Sequence, residues 1–527
     1  MEYNVISSAE QLPVIERLLL EDHISIEEQE YFCFGEDHSG KVFCLINEQA
    51  SDLYKKRAQT LRRFHFELKN VETYYSTAEL LSIFRDQATL GEEYNYESES
   101  ELDKRFSDIL IQAIKAKSSD IHFDIFPDRA DIKYRINGLI SKVGEIDVRT
   151  INRLVNYVYN VAAAEGSKDI QFNPDDMQDA LLDRIVEMDG QRHHYKLRLQ
   201  TAPCYPNSIT IVMRILPVDA QLSATLDSLG YSDLQIEQLK NAQMRPTGAT
   251  IIAGTTGSGK STTLATMLHQ VYKRTKGVKK ILTAEDPPEY AIPGANQINL
   301  SVKKSEENPD ENIFVKAIKV AMRCDPDIIM VGEVRDRHSS QLLSSAVLSG
   351  HQVFTTVHAA SALAIFYRLV NLGFEKHVLV SPNFLSLLIY QSLVPTLCPN
   401  CAIPFSQFES ELNSEFDSAC VERVKKAASS GQYENSSIDN VYFANEDGCS
   451  QCRMGYSGRT VLAEMVEPTF ELLDYLQQSE FDKAMALWRK AGGKTVLEHG
   501  ISKMFSGLVD PRSVEDRCGS LISELEQ

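Results

Sequence analysis

A glycine-rich segment over residues 254–261, Gly-Thr-Thr-Gly-Ser-Gly-Lys-Ser, has the spacing of a phosphate-binding loop. In such a loop the glycines let backbone N–H groups curl around phosphates, and the closing lysine reaches the β- and γ-phosphates. A β-rich run precedes the segment and a helical pattern follows it, so a helix N-terminus adds partial positive charge. We expect Mg²⁺ at Ser261 and nucleotide phosphates at Gly254, Thr255, Thr256, Gly257, Ser258, Gly259, Lys260 and Thr262.

Carboxylates end two apolar, strand-like runs. Residues 279–287 end in Glu285 and Asp286 ahead of two prolines, and residues 327–333 end in Glu333. In a parallel sheet such strand ends lie beside the phosphate loop, where a carboxylate can hold Mg²⁺ through water or orient an attacking water. Taken singly, each is more typical of an ordinary helix-capping group. Together with the loop, they favour hydrolysis over binding alone.

Two histidines, His351 and His358, frame a third β-rich run. A histidine there can sense the γ-phosphate or donate to its developing charge. A histidine at a strand end is more often structural, and the pattern alone leaves both interpretations open.

Four of the ten cysteines form two C-x-x-C pairs, which can present four thiolates to one tetrahedral Zn²⁺. The intervening segment, 402–448, is longer than in compact four-cysteine sites. Metal is still favoured over disulfides or free thiols, and four protein ligands leave no open position for catalysis. The predicted zinc ligands are Cys398, Cys401, Cys449 and Cys452.

The elements that must position these residues change type along the chain. Between residues 228 and 395, short apolar β-rich runs alternate with helical patterns, which indicates a parallel α/β sheet. The four strands predicted there cover residues 249–254, 279–287, 327–333 and 352–358.

Residues 102–218 alternate apolar and polar side chains, which predicts an α+β domain with one apolar sheet face. Asn137-Gly138 is the dipeptide typical of a two-residue hairpin turn. The alternation places Arg135, Arg198 and Arg214 on the polar face, and taken alone they are most simply a solvated surface.

Residues 1–90 contain both helix-like and strand-like sequence patterns. Residues 31–46 predict a hairpin, and residues 78–88 predict an amphipathic helix. Residues 91–101 are polar and acidic without an apolar period, which is typical of a linker.

Length and charge limit the function classes. A chain of 527 residues corresponds to three or four domains of roughly 150 residues. The net charge of −20 disfavours a partner with a phosphate backbone, unless a local patch departs from the average. No apolar run approaches the length of a membrane span, and the N-terminal residues lack the pattern of an export signal. We therefore expect a soluble cytoplasmic protein with reduced thiols.

Four ordered blocks resemble the secretion ATPases, the hexameric motors of type II secretion and type IV pilus assembly. The blocks lie at residues 254–263, 283–290, 322–336 and 350–359, where that family has its Walker A, Asp, Walker B and His boxes. The resemblance runs from about residue 105 to 515 and includes residues 118–140, which resemble the sheet domain preceding the family's motor.

The resemblance implies an α/β fold in which a RecA-like phosphate-loop ATPase domain (228–395) follows a smaller α+β sheet domain (102–218) and an N-terminal α/β docking domain (1–95). A zinc-binding four-cysteine subdomain (396–460) and a helical C-terminal tail (461–527) would complete the chain. It also implies a cytoplasmic homo-oligomer, as a hexamer, that is peripheral to the inner membrane. The docking domain would bind an inner-membrane platform protein or a cytoplasmic accessory component.

Residue roles follow from the same resemblance. Lys260 and Ser261 would bind the phosphates of ATP and Mg²⁺, Glu285 would activate water, and Glu333 would hold Mg²⁺ through water. The His-box pair would be His351 and His358, and the arginines that close over the nucleotide would be Arg135, Arg198 and Arg214.

Three departures from the family pattern concern the closure interface. Residues 178–181 read Gln-Asp-Ala-Leu where the family usually has Gln-Asp-Gly-Arg, so one family arginine is missing. Asn137 replaces the usual Asp, and residues 357–359 read Val-His-Ala rather than Leu-His-Thr. These departures suggest a divergent branch, for which the type IVb pilus group is one candidate.

Two alternatives remain at this level. A nucleic-acid motor of the same fold would need a basic pore, for which Lys303 and Lys304 are candidates, and the net charge disfavours it. A scaffold that binds ATP without hydrolysing it is disfavoured because Lys260, Glu285 and Glu333 are all present. No residue separates pilus assembly from type II secretion.

Overall fold

The computed structural model forms two compact units, Met1–Leu216 and Pro217–Gln527. It describes the whole chain except residues 1–3, 7, 9–10, 16, 21–23, 25–27, 38, 40, 65–70, 90–98, 165–167, 169–170, 189, 219–223, 301–312, 413, 434–435 and 524–527. Lys303 and Lys304, the predicted pore residues, lie outside the described part. None of the described helices is long and apolar enough to cross a bilayer.

The first unit begins with a small mixed sheet. Its elements are β1 (Asn4–Val5), β2 (Arg17–Leu19), a 3-10 turn (Glu28–Glu30), β3 (Phe32–Glu36), β4 (Val42–Asn47), α1 (Asp52–Phe64), β5 (Glu72–Ser76) and α2 (Ala78–Thr89). The strand order is β1-β5-β4-β3-β2. Every residue of β4 is buried, because alternate residues pack towards α1 on one face and α2 on the other. The predicted hairpin and the predicted helix at 78–88 are confirmed.

The second part of this unit is a six-stranded sheet. Its elements are α3 (Glu99–Lys115), β6 (Ser118–Ile125), β7 (Ala130–Ile136), β8 (Leu139–Ile146), α4 (Val148–Tyr157), a π-helical turn (Val158–Ala162), β9 (Gln178–Met188), β10 (Gln191–Cys204) and β11 (Ser208–Pro217). The order is β8-β7-β6-β11-β10-β9, and α3 and α4 cover its apolar face. Asn137 and Gly138 have φ of 52° and 87°, which confirms the predicted turn.

The predicted linker at 91–101 is only partly open to comparison. Residues 90–98 lie outside the described part, but α3 already begins at Glu99. The prediction was wrong for 99–101, because the buried stripe of Leu102, Phe106 and Leu110 extends a helix back through these acidic residues.

The second unit contains a seven-stranded sheet. Its elements up to the sheet's sixth strand are α5 (Leu226–Leu229), α6 (Asp233–Met244), β12 (Gly248–Ala253), α7 (Lys260–Thr275), β13 (Ile281–Glu285), β14 (Ala295–Asn299), α8 (Ile313–Arg323), β15 (Ile328–Val331), α9 (Arg337–Leu348), β16 (Gln352–Val357), α10 (Ala364–Asn371), α11 (Lys376–Leu379) and β17 (Leu385–Leu397). These six strands are parallel in the order β14-β13-β15-β16-β12-β17, and the four predicted strands are confirmed as β12, β13, β15 and β16. Helices cover both faces with separate apolar cores.

The remaining elements are β18 (Ile403–Pro404), α12 (Phe405–Ser410), α13 (Glu415–Ser429), a 3-10 turn (Ile438–Asn440), β19 (Tyr442–Phe443), β20 (Tyr456–Val466), α14 (Phe470–Gln477), α15 (Phe481–Lys490), α16 (Val496–Phe505) and α17 (Pro511–Cys518). Strand β20 pairs antiparallel with β17 as the seventh strand. The sheet therefore continues beyond the predicted domain end at residue 395, and the predicted boundary at 460/461 falls inside β20. The reason is that residues 460–466 form a strand that is buried on both faces of the sheet. The helical tail therefore begins only at Phe470.

Candidate functional site

The phosphate-binding loop lies where the sequence predicts it, between β12 and α7. Gly254, Gly257 and Gly259 have φ of 150°, 76° and 84°, which favours glycine at each position. At Gly254 the backbone also passes close to β17, since a Cβ there would lie 2.3 Å from the backbone oxygen of Gln391. Helix α7 begins directly at Lys260, so its free N–H groups face the loop.

Lys260 folds back over this loop. Its Nζ atom donates to the backbone oxygens of Gly254 at 2.8 Å and Thr255 at 2.9 Å. Burial lowers the pKa of Lys260, while the charges of Glu333 and Glu289 oppose that effect. The loop also contains the hydroxyl of Ser258, which is buried and has no hydrogen-bond partner among the described residues. A charged amine, an orphaned hydroxyl and free helix N–H groups are the donor set that a polyphosphate needs.

Glu285 is the last residue of β13, which lies between β14 and β15 in the sheet. Only 8% of its surface is exposed. Burial raises the pKa of Glu285, against hydrogen bonds from Thr283 and Gln297 that lower it. The neighbouring strand end approaches it closely: a Cβ on Gly332 would lie 3.9 Å from Cγ of Glu285. Glu285 is therefore a carboxylate in a water-poor setting, as expected for a general base.

Glu333 follows β15 at the same edge of the sheet. Its Oε1 atom lies 3.3 Å from Nε2 of His358, and its Oε2 atom lies 2.9 Å from Nη2 of Arg335. The structure thus brings Glu285, Glu333 and His358 to the carboxyl ends of neighbouring strands beside the phosphate loop. Carboxylate oxygens and a helix-terminal hydroxyl at Ser261 fit Mg²⁺.

His351 is not part of this site. It precedes β16, whereas His358 follows it, so roughly 20 Å of extended backbone separates the two histidines. Its Nδ1 atom lies 3.0 Å from the hydroxyl of Ser349 and 3.0 Å from the backbone oxygen of Ala346. The prediction that His351 acts on the nucleotide together with His358 was wrong within this chain, because the strand exposes its two ends at opposite edges of the sheet.

A buried group of hydrogen bonds centred on Gln391, here called the Gln391 hub, supports the phosphate loop, and no sequence pattern predicted it. Gln391 of β17 donates from Nε2 to the backbone oxygen of Ser258 at 2.7 Å. Its Oε1 atom accepts from the hydroxyls of Tyr231 at 2.8 Å and Thr263 at 3.3 Å. The available signal was the single amide side chain of β17, whose other residues are apolar or carry hydroxyl groups.

The three predicted closing arginines lie in the first unit, on the polar face of its six-stranded sheet as the alternation predicts. Asp120, only 3% exposed, brings two of them together: its carboxylate lies 2.9 Å from Nε of Arg214 and 3.8 Å from Nε of Arg135. Arg198 is exposed on β10, opposite Leu181 of β9.

The four predicted metal ligands form one cluster. The Sγ atoms of Cys398, Cys401, Cys449 and Cys452 all lie within 4.8 Å of one another. Individual Sγ–Sγ separations are 3.4, 3.6 and 3.9 Å. Four thiolates around a tetrahedral zinc at 2.3 Å would lie about 3.8 Å apart, so the residues fit this metal. A backbone N–H from Gln451 helps to lower the pKa of Cys449, whereas burial raises the pKa of Cys401 and of Cys452.

Known proteins share this architecture. Residues 95–517 match the protein-family model T2SSE, described as Type II/IV secretion system protein. Type II secretion system protein E of Pseudomonas aeruginosa is 28% identical over 414 residues, which are 77% of this chain and 73% of that protein. Type IV pilus assembly ATPase PilB of the same organism is 28% identical over 407 residues, 77% of this chain and 65% of PilB. Among solved structures, the ATPase DotB of Legionella pneumophila superposes with a TM-score of 0.54 at 20% identity, covering 78% of this chain and 94% of DotB.

Proposed function

Since this chain belongs to the type II/IV secretion system protein family, we propose that it is an ATP-hydrolysing motor that powers type IV pilus assembly or type II protein secretion. The observation that carries the proposal is the arrangement at one sheet edge. The phosphate loop with Lys260, the buried Glu285 and the Glu333–His358 pair all lie at the carboxyl ends of parallel strands. A scaffold that only binds nucleotide does not need the two carboxylates.

In this function each residue has a defined task. The Lys260 amine exchanges its two backbone carbonyls for phosphate oxygens of ATP. Glu285 accepts a proton from a water whose oxygen attacks the γ-phosphorus, and the bond to the bridging oxygen of ADP breaks. His358 and Arg335 contact the carboxylate of Glu333 and orient it, and His358 would donate to charge that develops on the γ-phosphate. Ser261, and Glu333 through water, would hold Mg²⁺, which would neutralise charge on the phosphates.

Hydrolysis becomes motion when the nucleotide site opens and closes. We assign the closing role to Arg135, Arg198 and Arg214, and we propose that a ring of six chains passes the movement on. The RecA-like motor domain (228–395) carries the catalysis, and the sheet domain (102–218) carries these arginines. Residues 1–95 would dock on an inner-membrane platform protein or an accessory component, at the cytoplasmic side of that membrane. The type IVb branch remains a prediction.

The four-cysteine cluster has a structural task in this scheme. Zinc held by all four thiolates has no open position for substrate, so it would fasten the chain between β17 and β20. Outside β17 and β20, which belong to the motor sheet, the predicted zinc subdomain (396–460) and C-terminal tail (461–527) would then form one support beside that sheet.

The test is ATP turnover by the purified full-length chain, with Lys260→Ala as the inactive comparison. Equal phosphate release by both proteins would contradict the proposal, and stimulation of turnover by DNA would favour a nucleic-acid motor instead. Disruption of the gene, followed by electron microscopy of surface fibres and an assay of exported proteins, distinguishes pilus assembly from secretion.

A further inference from the structure

Both hydrogen bonds that the structure describes for the Glu285 carboxylate end on the same oxygen. Oε1 accepts the hydroxyl of Thr283 at 2.6 Å and the Nε2 amide of Gln297 at 2.9 Å. Thr283 is a buried residue of the same strand, and Gln297 lies on the neighbouring strand β14. Rotation of the carboxylate would break both bonds at once. The two donors therefore fix the orientation of Oε2, the oxygen that they leave for another partner.

Gln297 also holds the segment that follows Glu285. Its Nε2 atom donates to the backbone oxygen of Tyr290 at 2.9 Å, and its Oε1 atom accepts the backbone N–H of Ile292 at 2.9 Å. All the polar atoms of this side chain are thus engaged, two contacts on the segment and one on the carboxylate. Gln297 therefore fixes the distance between the Glu285 carboxylate and the backbone at Tyr290 and Ile292.

The same segment reaches the phosphate loop. The hydroxyl of Tyr290 lies 3.0 Å from that of Thr262, the residue after Ser261 in the first turn of α7. Tyr290 therefore links the two parts of the site: its side-chain hydroxyl contacts Thr262, and its backbone oxygen accepts from the same Gln297 amide that donates to Glu285. Contacts of this kind hold two parts of a site at a fixed separation.

We propose that Gln297 and Thr283 are positioning residues for ATP hydrolysis. They hold Oε1 of Glu285 so that Oε2 faces the attacking water, and Gln297 ties that carboxylate to the loop that binds the phosphates. Neither residue contacts the nucleotide in this role, and the inference rests on the proposed function.

The electrostatic setting gives this role a specific signature. Burial raises the pKa of Glu285, and the two hydrogen bonds counteract that effect. Loss of either donor moves the pKa of Glu285 further upward. A general base works only when ionised, so the acidic limb of the kcat–pH profile moves to higher pH.

The experiment compares four variants of the full-length protein with the wild type. Gln297→Met keeps the side-chain length but removes the amide, and Thr283→Val keeps the shape but removes the hydroxyl. Thr283→Ser restores the hydroxyl, and Gln341→Met is a matched amide loss at an exposed position of α9. The measurements are kcat and KM for ATP, the kcat–pH profile, the dissociation constant of a fluorescent ATP analogue and the melting temperature.

We expect Gln297→Met and Thr283→Val to lower kcat about 10- to 100-fold, with KM and analogue affinity within about threefold of wild type and a raised acidic limb. Thr283→Ser recovers most of kcat, and Gln341→Met resembles wild type. Unchanged kcat in both variants overturns the inference. It is also overturned if the loss of kcat is accompanied by a similar fold-loss of analogue affinity and by a clear drop in melting temperature. If Gln297→Met does not fold, the Thr283 pair decides. A wild type that binds the analogue but releases no phosphate refutes the proposed function instead.

Discussion

Nε2 of His358 and Oε1 of Glu333 lie 3.3 Å apart, on residues that follow the neighbouring strands β16 and β15. Two hydrogen bonds fix these strand ends: Thr356 donates its hydroxyl to the backbone oxygen of Gly332 at 2.6 Å, and Val334 donates its N–H to Thr356 at 3.1 Å. The imidazole is therefore held against a carboxylate that also acts electrostatically on Lys260.

Removal of this imidazole should slow hydrolysis without removing nucleotide binding. We expect His358→Ala to lower kcat about 10- to 100-fold, because an oriented donor to developing charge is lost. His351→Ala is the matched control, since it deletes the same side chain at the other end of the same strand. Steady-state ATPase assays measure both. An equal loss of kcat in the two variants would show that the separation of the histidines has no functional meaning.

The Gln391 hub predicts a defect in nucleotide affinity. Gln391→Leu removes the donor to Ser258 and the acceptor that the buried hydroxyls of Tyr231 and Thr263 share, so only one of these hydroxyls can still donate, to the other. Unpaired buried groups cost about 1–3 kcal/mol, so we expect roughly tenfold weaker binding of a fluorescent ATP analogue. Ser386→Ala, which also alters a buried polar residue of β17 but away from the loop, should bind as wild type does. Unaltered affinity in Gln391→Leu would contradict a supporting role.

Elemental analysis tests the four-cysteine cluster. We expect about one zinc per chain in the purified protein and a clear loss in Cys398→Ser, because three thiolates hold zinc less well than four. Cys324→Ser changes an exposed thiol outside the cluster and should retain the metal. Chelation of the wild type should lower its melting temperature. A metal-free protein in which all four cluster thiols react without unfolding would argue against the site.

His499 gives a prediction about pH. Its Nδ1 atom accepts the backbone N–H of Ala463 at 3.1 Å, and the residue is 7% exposed. Burial lowers the pKa of His499 to about 3, against an ordinary value of 6.5. Below pH 6.5 the unfolded chain therefore binds a proton that the folded chain does not. The stability from this group is complete above pH 6.5 and falls as the pH drops from 6.5 towards 3, by up to about 1.4 kcal/mol per pH unit.

The single tryptophan is a local probe for this effect. Trp488 donates to the backbone oxygen of Met465, two residues beyond Ala463 on β20. Denaturant unfolding followed by tryptophan fluorescence at pH 7.5 and 5.5 should show a smaller decline for His499→Asn, which keeps an acceptor near Nδ1 but does not titrate. Parallel declines in wild type and variant would assign the pH dependence to other groups.

Sequence patterns predicted those parts of the fold and site whose residues are close together in the chain. The strand, glycine loop and helix around residues 248–275 are contiguous, so spacing alone placed Lys260. Glu285 and Glu333 were predicted because parallel strands share one carboxyl edge. The contacts of Gln391 with Tyr231 and Ser258 join residues far apart in the chain, and the periodicity of a sequence does not predict contacts of this kind. The pairing of β20 with β17 was missed for the same reason. His351 was paired with His358 through the resemblance to the family's His box, and the strand between them places only His358 at the carboxyl edge.

The pairing of β17 with β20 has a consequence for engineering. Leu397 and Tyr456 face each other across these strands, so residues 398–455 leave and re-enter the sheet at adjacent points. Val424 and Phe443 of this segment share an apolar core with Leu497 and Val514 of the C-terminal helices. A chimera that replaces residues 398–455 with those of a homologue must therefore also replace the C-terminal helices. Otherwise the ends of the insert fit the sheet, but its apolar side chains do not pack against the helices of the host.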